Sequence, residues 1–358
     1  MSREHYGGII NIYSWKKHYG CYTLDRNTSM LEYLRFLESK MSPSLSFRAN
    51  TIKEWKEWHR ALKEKLIELL GGFPEEKCSL NPETLEVVEF EDYIMEKVIY
   101  NTEPNFSVPA YVLIPKNGKG KLKAVLCLHG HGRGKVDVVG LAKDEIERQK
   151  HILPLNYDYG LQLVKKGYFV LAPDGRCFGE LSMDGMKCDW GFKSTLLLGK
   201  TLVGLRVWDA IRSIDYLQSR HEVDPNRIAC LGLSWGGTWT AYTSALDERI
   251  KVAVISGYFS TFRDMLIERS CCSCQYIPGI LKYADFPDIV ALIAPRPLLI
   301  EYGKRDPLYT YSYVIEAYEK LRRVYELLGV ENRLDIDIFD GGHMFCGRKA
   351  FPWLEKWL

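Results

Sequence analysis

Apolar residues recur at three- and four-residue spacings in SMLEYLRFLESK and TIKEWKEWHRALKEKLIELLGG, so the stretch 28–71 is expected to be helical. In the second segment Thr51 is placed as an N-cap with Glu54 three residues later, and the pattern stops at Gly71-Gly72. From about residue 84 the period shortens. TLEVVEFEDYIMEKVIYNTE and FSVPAYVLIPK are rich in β-branched and aromatic residues and predict antiparallel strands. Short apolar runs then follow one another, KAVLCLHG, GYFVLAPD, NRIACLGLS, KVAVISG, RPLLIEYG and RLDIDIFDG, each ending in Gly, Asp or Ser. Helical stretches such as KTLVGLRVWDAIRSIDYLQSR and YSYVIEAYEKLRRVYELLG lie between them.

Buried strands alternating with helices predict an α/β fold, a mostly parallel central sheet with helices on both faces. RLDIDIF alternates apolar and acidic residues, which suits a strand near the sheet's edge. The division expected is a helical N-terminal segment over 1–82 and a catalytic domain over 83–358. Three irregular stretches, 131–155, 175–198 and 257–292, follow strand C-termini, the end of an open α/β sheet where ligands bind.

Composition narrows the function classes. The chain has 358 residues, 46% apolar and 26% charged, with a formal net charge of +2 and no long Lys/Arg block. That balance describes a globular protein and gives no electrostatic footprint for nucleic acid. No run approaches the roughly 18 apolar residues of a membrane span. The first residues lack the apolar core of a secretory signal, so the cytoplasm is the expected compartment and the ten cysteines are expected to be reduced.

The strand RIACLGLS runs directly into Gly232-Leu233-Ser234-Trp235-Gly236-Gly237 and then the helical TWTAYTSAL. This is G-x-S-x-G at a strand-to-helix turn, the setting of a nucleophile elbow. A serine held in so tight a turn leaves no room for Cβ atoms beside it, and the helix N-terminus beneath favours developing negative charge. The preceding strand ends in His129-Gly130-His131-Gly132-Arg133-Gly134-Lys135. Acyl transfer needs two backbone N–H donors on the oxyanion, and those of Trp235 and His131 stand in the right places. A phosphate loop is disfavoured, because Lys135 breaks G-x-G-x-x-G and Val136 stands where a P-loop needs Ser or Thr.

A serine hydroxyl needs a base, and chain order in this architecture is nucleophile, acid, histidine. Downstream of Ser234 His343 has no rival histidine, and it lies in the turn Asp340-Gly341-Gly342-His343. Asp306, in Gly303-Lys304-Arg305-Asp306-Pro307, occupies the acid's slot, with Asp340 as a local competitor.

With these pieces in place the chain resembles the dienelactone-hydrolase and acetyl-xylan-esterase-like branch of the α/β-hydrolases. The segments that carry the likeness are LHGHGRGK, APDGRCFGE, GLSWGGTWTA, ALIAPRPLLIEYGKRDPLY and FDGGHMFCGRKAFPW, within residues 85–358, and the Trp-rich helix ending in LLGG resembles the leader of such esterases. The resemblance implies hydrolysis of carboxylic esters, often acetyl groups on carbohydrates, without metal or organic cofactor. Ser234 departs from the cysteine nucleophile of true dienelactone hydrolases.

Cys271-Cys272-x-Cys274 lacks a second pair or a nearby histidine in sequence, so a reduced thiol cluster is expected there and no metal. Trp190, Phe192 and Tyr276 lie in the long loops, and Trp190, Tyr276 and His129 are candidate substrate contacts, with His129 also a candidate loop brace. Asp174 and Arg176 are placed to pair with each other. The expected partner is a small-molecule ester, with no nucleic acid and no membrane, and homo-oligomerisation is left open. The rival readings are a peptidase of the prolyl-oligopeptidase kind and a non-catalytic binding protein on the same fold.

Overall fold

The computed structural model describes residues 27–182, 187–269 and 271–358. Among the described residues nine strands form one sheet: β1 (Glu83–Glu89), β2 (Tyr93–Glu103), β3 (Phe106–Pro115), β4 (Leu122–Leu128), β5 (Phe169–Pro173), β6 (Val223–Leu233), β7 (Ile250–Ser256), β8 (Leu298–Gly303) and β9 (Leu334–Phe339). Their order is β1-β2-β3-β5-β4-β6-β7-β8-β9. The first three pair antiparallel, β3 meets β5 antiparallel, and all later pairings are parallel. The α/β expectation thus holds in detail, and the alternating segment RLDIDIF is an edge strand.

The centre of the sheet shows why uninterrupted apolar runs were needed. On β4 Ala124, Leu126 and Leu128 enter one core layer, while Val125 and Cys127 enter the other. A strand covered on both faces cannot tolerate a polar side on either. The first layer lies under the helices Leu202–Ser219, Trp235–Leu246, Phe286–Ala291 and Tyr311–Leu327, and the second under Tyr159–Lys165 and Ala350–Trp357.

The helix Ile52–Leu69 begins in the capping box expected at Thr51 and Glu54. Its buried residues Trp58, Leu62 and Leu66 belong to the first core layer. The Trp58 indole N–H donates to the Leu45 carbonyl at 2.7 Å, and His59 Nε2 meets the Leu292 carbonyl at 3.0 Å. The compact unit therefore runs from Met41 to Leu358, and the division differs from a break at residues 82 and 83. An amphipathic helix must bury its apolar stripe, and this one does so against the α/β core. In the unit Met1–Lys40 the described element is the helix Met30–Ser39, capped by Ser29. Among the described residues no helix is long and apolar enough to cross a membrane.

Candidate active site

The sharp turn after β6 sets the position of Ser234. Its backbone lies at φ +62° and ψ −123°, a left-handed region that a side-chain-bearing residue occupies only when its surroundings hold it there. Its amide donates to the Ser256 carbonyl at 2.9 Å, and its carbonyl accepts from Thr238 N–H at 3.1 Å inside the helix Trp235–Leu246. A Cβ on Gly236 would run into the carbonyl of Leu128, and one on Gly232 would run into the backbone of Gly236. These two glycines let β4, β6 and the helix approach one another closely enough to hold the turn.

His343 lies in the turn after β9 and Asp306 in the turn after β8. The imidazole Nδ1–H donates to Asp306 Oδ2 at 2.7 Å, and the carboxylate is fully buried. Asp306 Oδ1 accepts the Leu308 N–H at 2.8 Å, so both carboxylate oxygens are engaged and its direction is set. With Nδ1 carrying the proton, Nε2 is left free to accept one. The two turns are joined by backbone bonds from Lys304 to Phe339 (2.9 Å) and from Arg305 to Gly341 (2.8 Å). Asp340 points elsewhere, to the exposed guanidinium of Arg305.

Ser234 and His343 converge on the end of β7. Ser234 is bonded to Ser256, and a Cβ on the next residue, Gly257, would lie 3.2 Å from His343 Cε1 and 3.0 Å from Leu233 Cδ1. Behind this turn the buried Glu301 carboxylate accepts the N–H groups of Cys346 and Gly347, at 3.3 and 2.9 Å. Sequence reasoning missed this residue, because an acid inside a parallel strand has no motif of its own.

The loop after β4 is held from several sides. Gly130 N–H donates to the Tyr157 hydroxyl at 2.6 Å, and the position of a Cβ on Gly130 would be 3.0 Å from Ser234 Cβ, so loop and elbow touch. Arg133 N–H donates to Asp137 at 2.8 Å, and Lys135 donates to Asp174 through N–H (2.8 Å) and Nζ (2.6 Å). Asp174 thus pairs with Lys135 and not with Arg176, which instead pairs with Asp209 and Glu103. The expected Asp174–Arg176 pair is replaced by two separate networks, since each buried charge finds a nearer partner from another segment.

His129 is not a substrate contact. It is fully buried, its Nε2 accepts Gly175 N–H at 2.8 Å, and Nδ1–H donates to the Gly130 carbonyl at 2.8 Å. Burial lowers its pKa, which keeps the ring neutral as this pairing requires. It braces the loop to the turn after β5. Trp235 is also buried, its ring 5.1 Å from that of Trp239, so its side chain is part of the core. Trp190 is exposed on the helix Cys188–Leu197. The Tyr276 hydroxyl is spent on the Leu266 carbonyl at 2.9 Å, with its ring 6.4 Å from Phe192.

His131 lies beside a cavity of 580 Å³ that is also lined by Gly132, Phe178, Cys188, Asp189 and Cys272. Here the structure departs from the expectation of an isolated thiol cluster. It brings the His131 imidazole together with Cys188, Cys272 and Cys274, their donor atoms all within 4.8 Å of one another. The expectation of no metal rested on the lack of a histidine near Cys271-Cys272-x-Cys274 in sequence, and folding supplies one from the loop after β4. Cys271 is left outside the group. All described cysteines are free.

With this geometry in view, the likenesses to known proteins become informative. The Abhydrolase family matches residues 23–323. YtaP of Bacillus subtilis (strain 168), provisionally named a hydrolase, is 32% identical over 307 residues, 83% of this chain and 98% of YtaP. Among solved structures, a Bacteroides fragilis NCTC 9343 protein provisionally named an acetyl xylan esterase aligns with TM-score 0.78 and 21% identity, over 92% of this chain and 95% of its own. A glucuronoyl esterase from Solibacter usitatus aligns with TM-score 0.69 and 17% identity, over 88% and 98%. A strained serine elbow on a parallel sheet of this order, and relatives matched over nearly their full length, agree on one conclusion: the chain belongs to the Abhydrolase family of α/β-hydrolases.

Proposed function

We propose that the protein is a serine carboxylesterase acting on small esters, with acetyl esters of carbohydrates as the leading substrate class. The observation that carries this reading is the 2.7 Å bond from His343 to a fully buried Asp306, at the same strand ends as the strained Ser234. A carboxylate that fixes the imidazole tautomer leaves Nε2 as the nitrogen able to accept a proton, and the elbow supplies a hydroxyl. In the cycle Ser234 Oγ attacks the ester carbonyl and its proton passes to His343 Nε2. The N–H groups of Trp235 and His131 receive the oxyanion. His343 then protonates the departing alcohol, and water repeats the two steps to release the acid and restore the serine. The carbohydrate preference draws on the names of the structural neighbours, which are acetyl xylan and glucuronoyl esterases.

Hydrolysis of short-chain p-nitrophenyl esters and of acetylated xylo-oligosaccharides by the wild type and Ser234→Ala tests the reading. The substitution is expected to lower kcat by about four orders of magnitude or more. Activity that survives it removes Ser234 from the mechanism. Cleavage of amides in preference to esters would favour a peptidase, and silence on both would favour a binding protein.

A further inference from the structure

Three segments far apart in the chain meet at the rim of the 580 Å³ cavity. The loop after β4 brings His131, the start of the helix Cys188–Leu197 brings Cys188, and the short turn Ser273–Gln275 brings Cys274 with Cys272 just before it. We propose that these four residues bind a structural zinc ion in a Cys3His site, and that the ion ties the loop after β4 to the two loops that cover it.

Four features argue for a metal over a chance gathering of thiols. The donor set is three thiolates and one imidazole, the soft, four-coordinate set that zinc takes in closed structural sites. The spacing fits: with Zn–S near 2.3 Å and Zn–N near 2.0–2.1 Å, tetrahedral ligands stand about 3.5–3.8 Å apart. Cys274 Sγ lies 3.8 Å from His131 Nε2, and all four donor atoms fall within 4.8 Å of one another. The side chains converge from different segments, as a cross-link requires.

The fourth feature is Arg206. Its guanidinium is fully buried, donates to Cys188 Sγ at 3.3 Å, and has an Nη1 with no hydrogen-bond partner. Its other bonds go to the Arg176 carbonyl, and its faces rest on Trp235 (4.2 Å) and Phe178 (4.9 Å). Among the described residues no carboxylate pairs with it, and a buried cation without a counter-charge is costly. Zn²⁺ with three thiolates carries a net charge of −1. That complex is the missing anion, and Arg206 is its counter-ion. On binding, the three thiols give up their protons to solvent and nothing is oxidised or reduced.

The metal assignment does not depend on the esterase reading. Only its consequence does, namely that the ion would hold the main chain of His131 in place as an oxyanion donor.

The full chain, purified without chelators, is analysed for metal by inductively coupled plasma mass spectrometry before and after incubation with zinc chloride and desalting. About one zinc per chain is expected. Replacement by Co²⁺ is expected to give the visible bands of a tetrahedral site and thiolate charge-transfer bands in the near ultraviolet. Cys188→Ser and Cys272→Ser should lose most of the zinc, whereas Cys271→Ser, adjacent but outside the group, should keep it. Far-ultraviolet circular dichroism identifies variants that fold. Should the serine variants fail that check, stripping the wild type with dipicolinate and refilling it gives the same count. Wild type that retains no zinc after incubation, folded variants that bind as the wild type does, or a disulfide among these cysteines in anaerobically handled protein would each overturn the proposal. Ser234→Ala should carry the same zinc as the wild type, so failure of the esterase reading leaves this result standing.

Discussion

Burial pushes the Glu301 carboxyl up to about 7, against an ordinary value near 4.5. The desolvation of a group sealed inside β8 outweighs the N–H donors of Cys346 and Gly347 that favour its charged form. A carboxyl whose folded value is raised binds its proton more tightly in the folded chain. Its contribution to stability is therefore full below about 4.5 and is lost as pH climbs through about 7. The difference corresponds to about 3 kcal/mol. Glu301→Gln keeps the accepting oxygen and removes the titration. Urea unfolding at pH 5 and pH 8 should show the wild type losing about 2.5 kcal/mol more than the variant across that interval. Equal losses would mean that Glu301 does not titrate there. Asp306 has a different role on the proposed mechanism, because its carboxylate is spent on orienting His343. Asp306→Asn should lower kcat for a p-nitrophenyl ester by about 10³ to 10⁴ with little change in melting temperature. A loss of only a few-fold would assign the orienting role elsewhere. Ser234, Asp306 and His343 could be singled out from sequence as candidates because each follows a recognisable strand in a known order. His131, Cys188, Cys272 and Cys274 could not be grouped, because neither spacing nor order joins residues on three separate loops.

At the scale of elements, what sequence revealed follows from what periodicity encodes. Each run from KAVLCLHG to RLDIDIFDG is a strand of the sheet: the central ones are mostly apolar because both their faces are covered, and the last alternates because it lies at the edge. Periodicity also found the helix Ile52–Leu69 and its cap, but it could not say which body would receive the apolar face. That face joins the α/β core through Trp58, Leu62 and Leu66. Leu62 is fully buried, so Leu62→Ala should destabilise the whole compact unit by about 2–5 kcal/mol. Intrinsic fluorescence in urea is the measurement. A helix that merely leaned on the catalytic unit would give a change well under 1 kcal/mol. The loops were legible only as irregular. Short helices such as Glu145–His151 and Phe286–Ala291 sit inside stretches whose polar and apolar positions show no sustained period.

Across the whole molecule, the site depends on turns contributed by strands that are distant in sequence, and backbone hydrogen bonds of the sheet stop where those turns begin. Backbone bonds between turns hold the ends of β6 to β9, whereas the loop after β4 is held beyond the sheet by buried charges as well. Asp174, after β5, takes both the main-chain N–H and the ammonium of Lys135 and also the N–H of Glu180 (2.9 Å). Lys135 and Asp174 are all but sealed from solvent, whereas the Arg322 pair with Glu319 on the helix Tyr311–Leu327 is exposed on both sides. The two kinds of ion pair should answer mutation differently. Removing one partner of an exposed pair forfeits a weak, screened attraction, so Glu319→Gln should cost less than about 1 kcal/mol. Asp174→Asn leaves the Lys135 ammonium buried beside Glu180 alone, a cost of about 3–5 kcal/mol. The same change frees the loop after β4, whose far end touches the Ser234 elbow at Gly130. Esterase activity of Asp174→Asn should therefore fall even at temperatures where circular dichroism shows the chain fully folded. Wild-type activity in a folded but destabilised variant would mean that Tyr157 and His129 hold the loop without help from the buried charges.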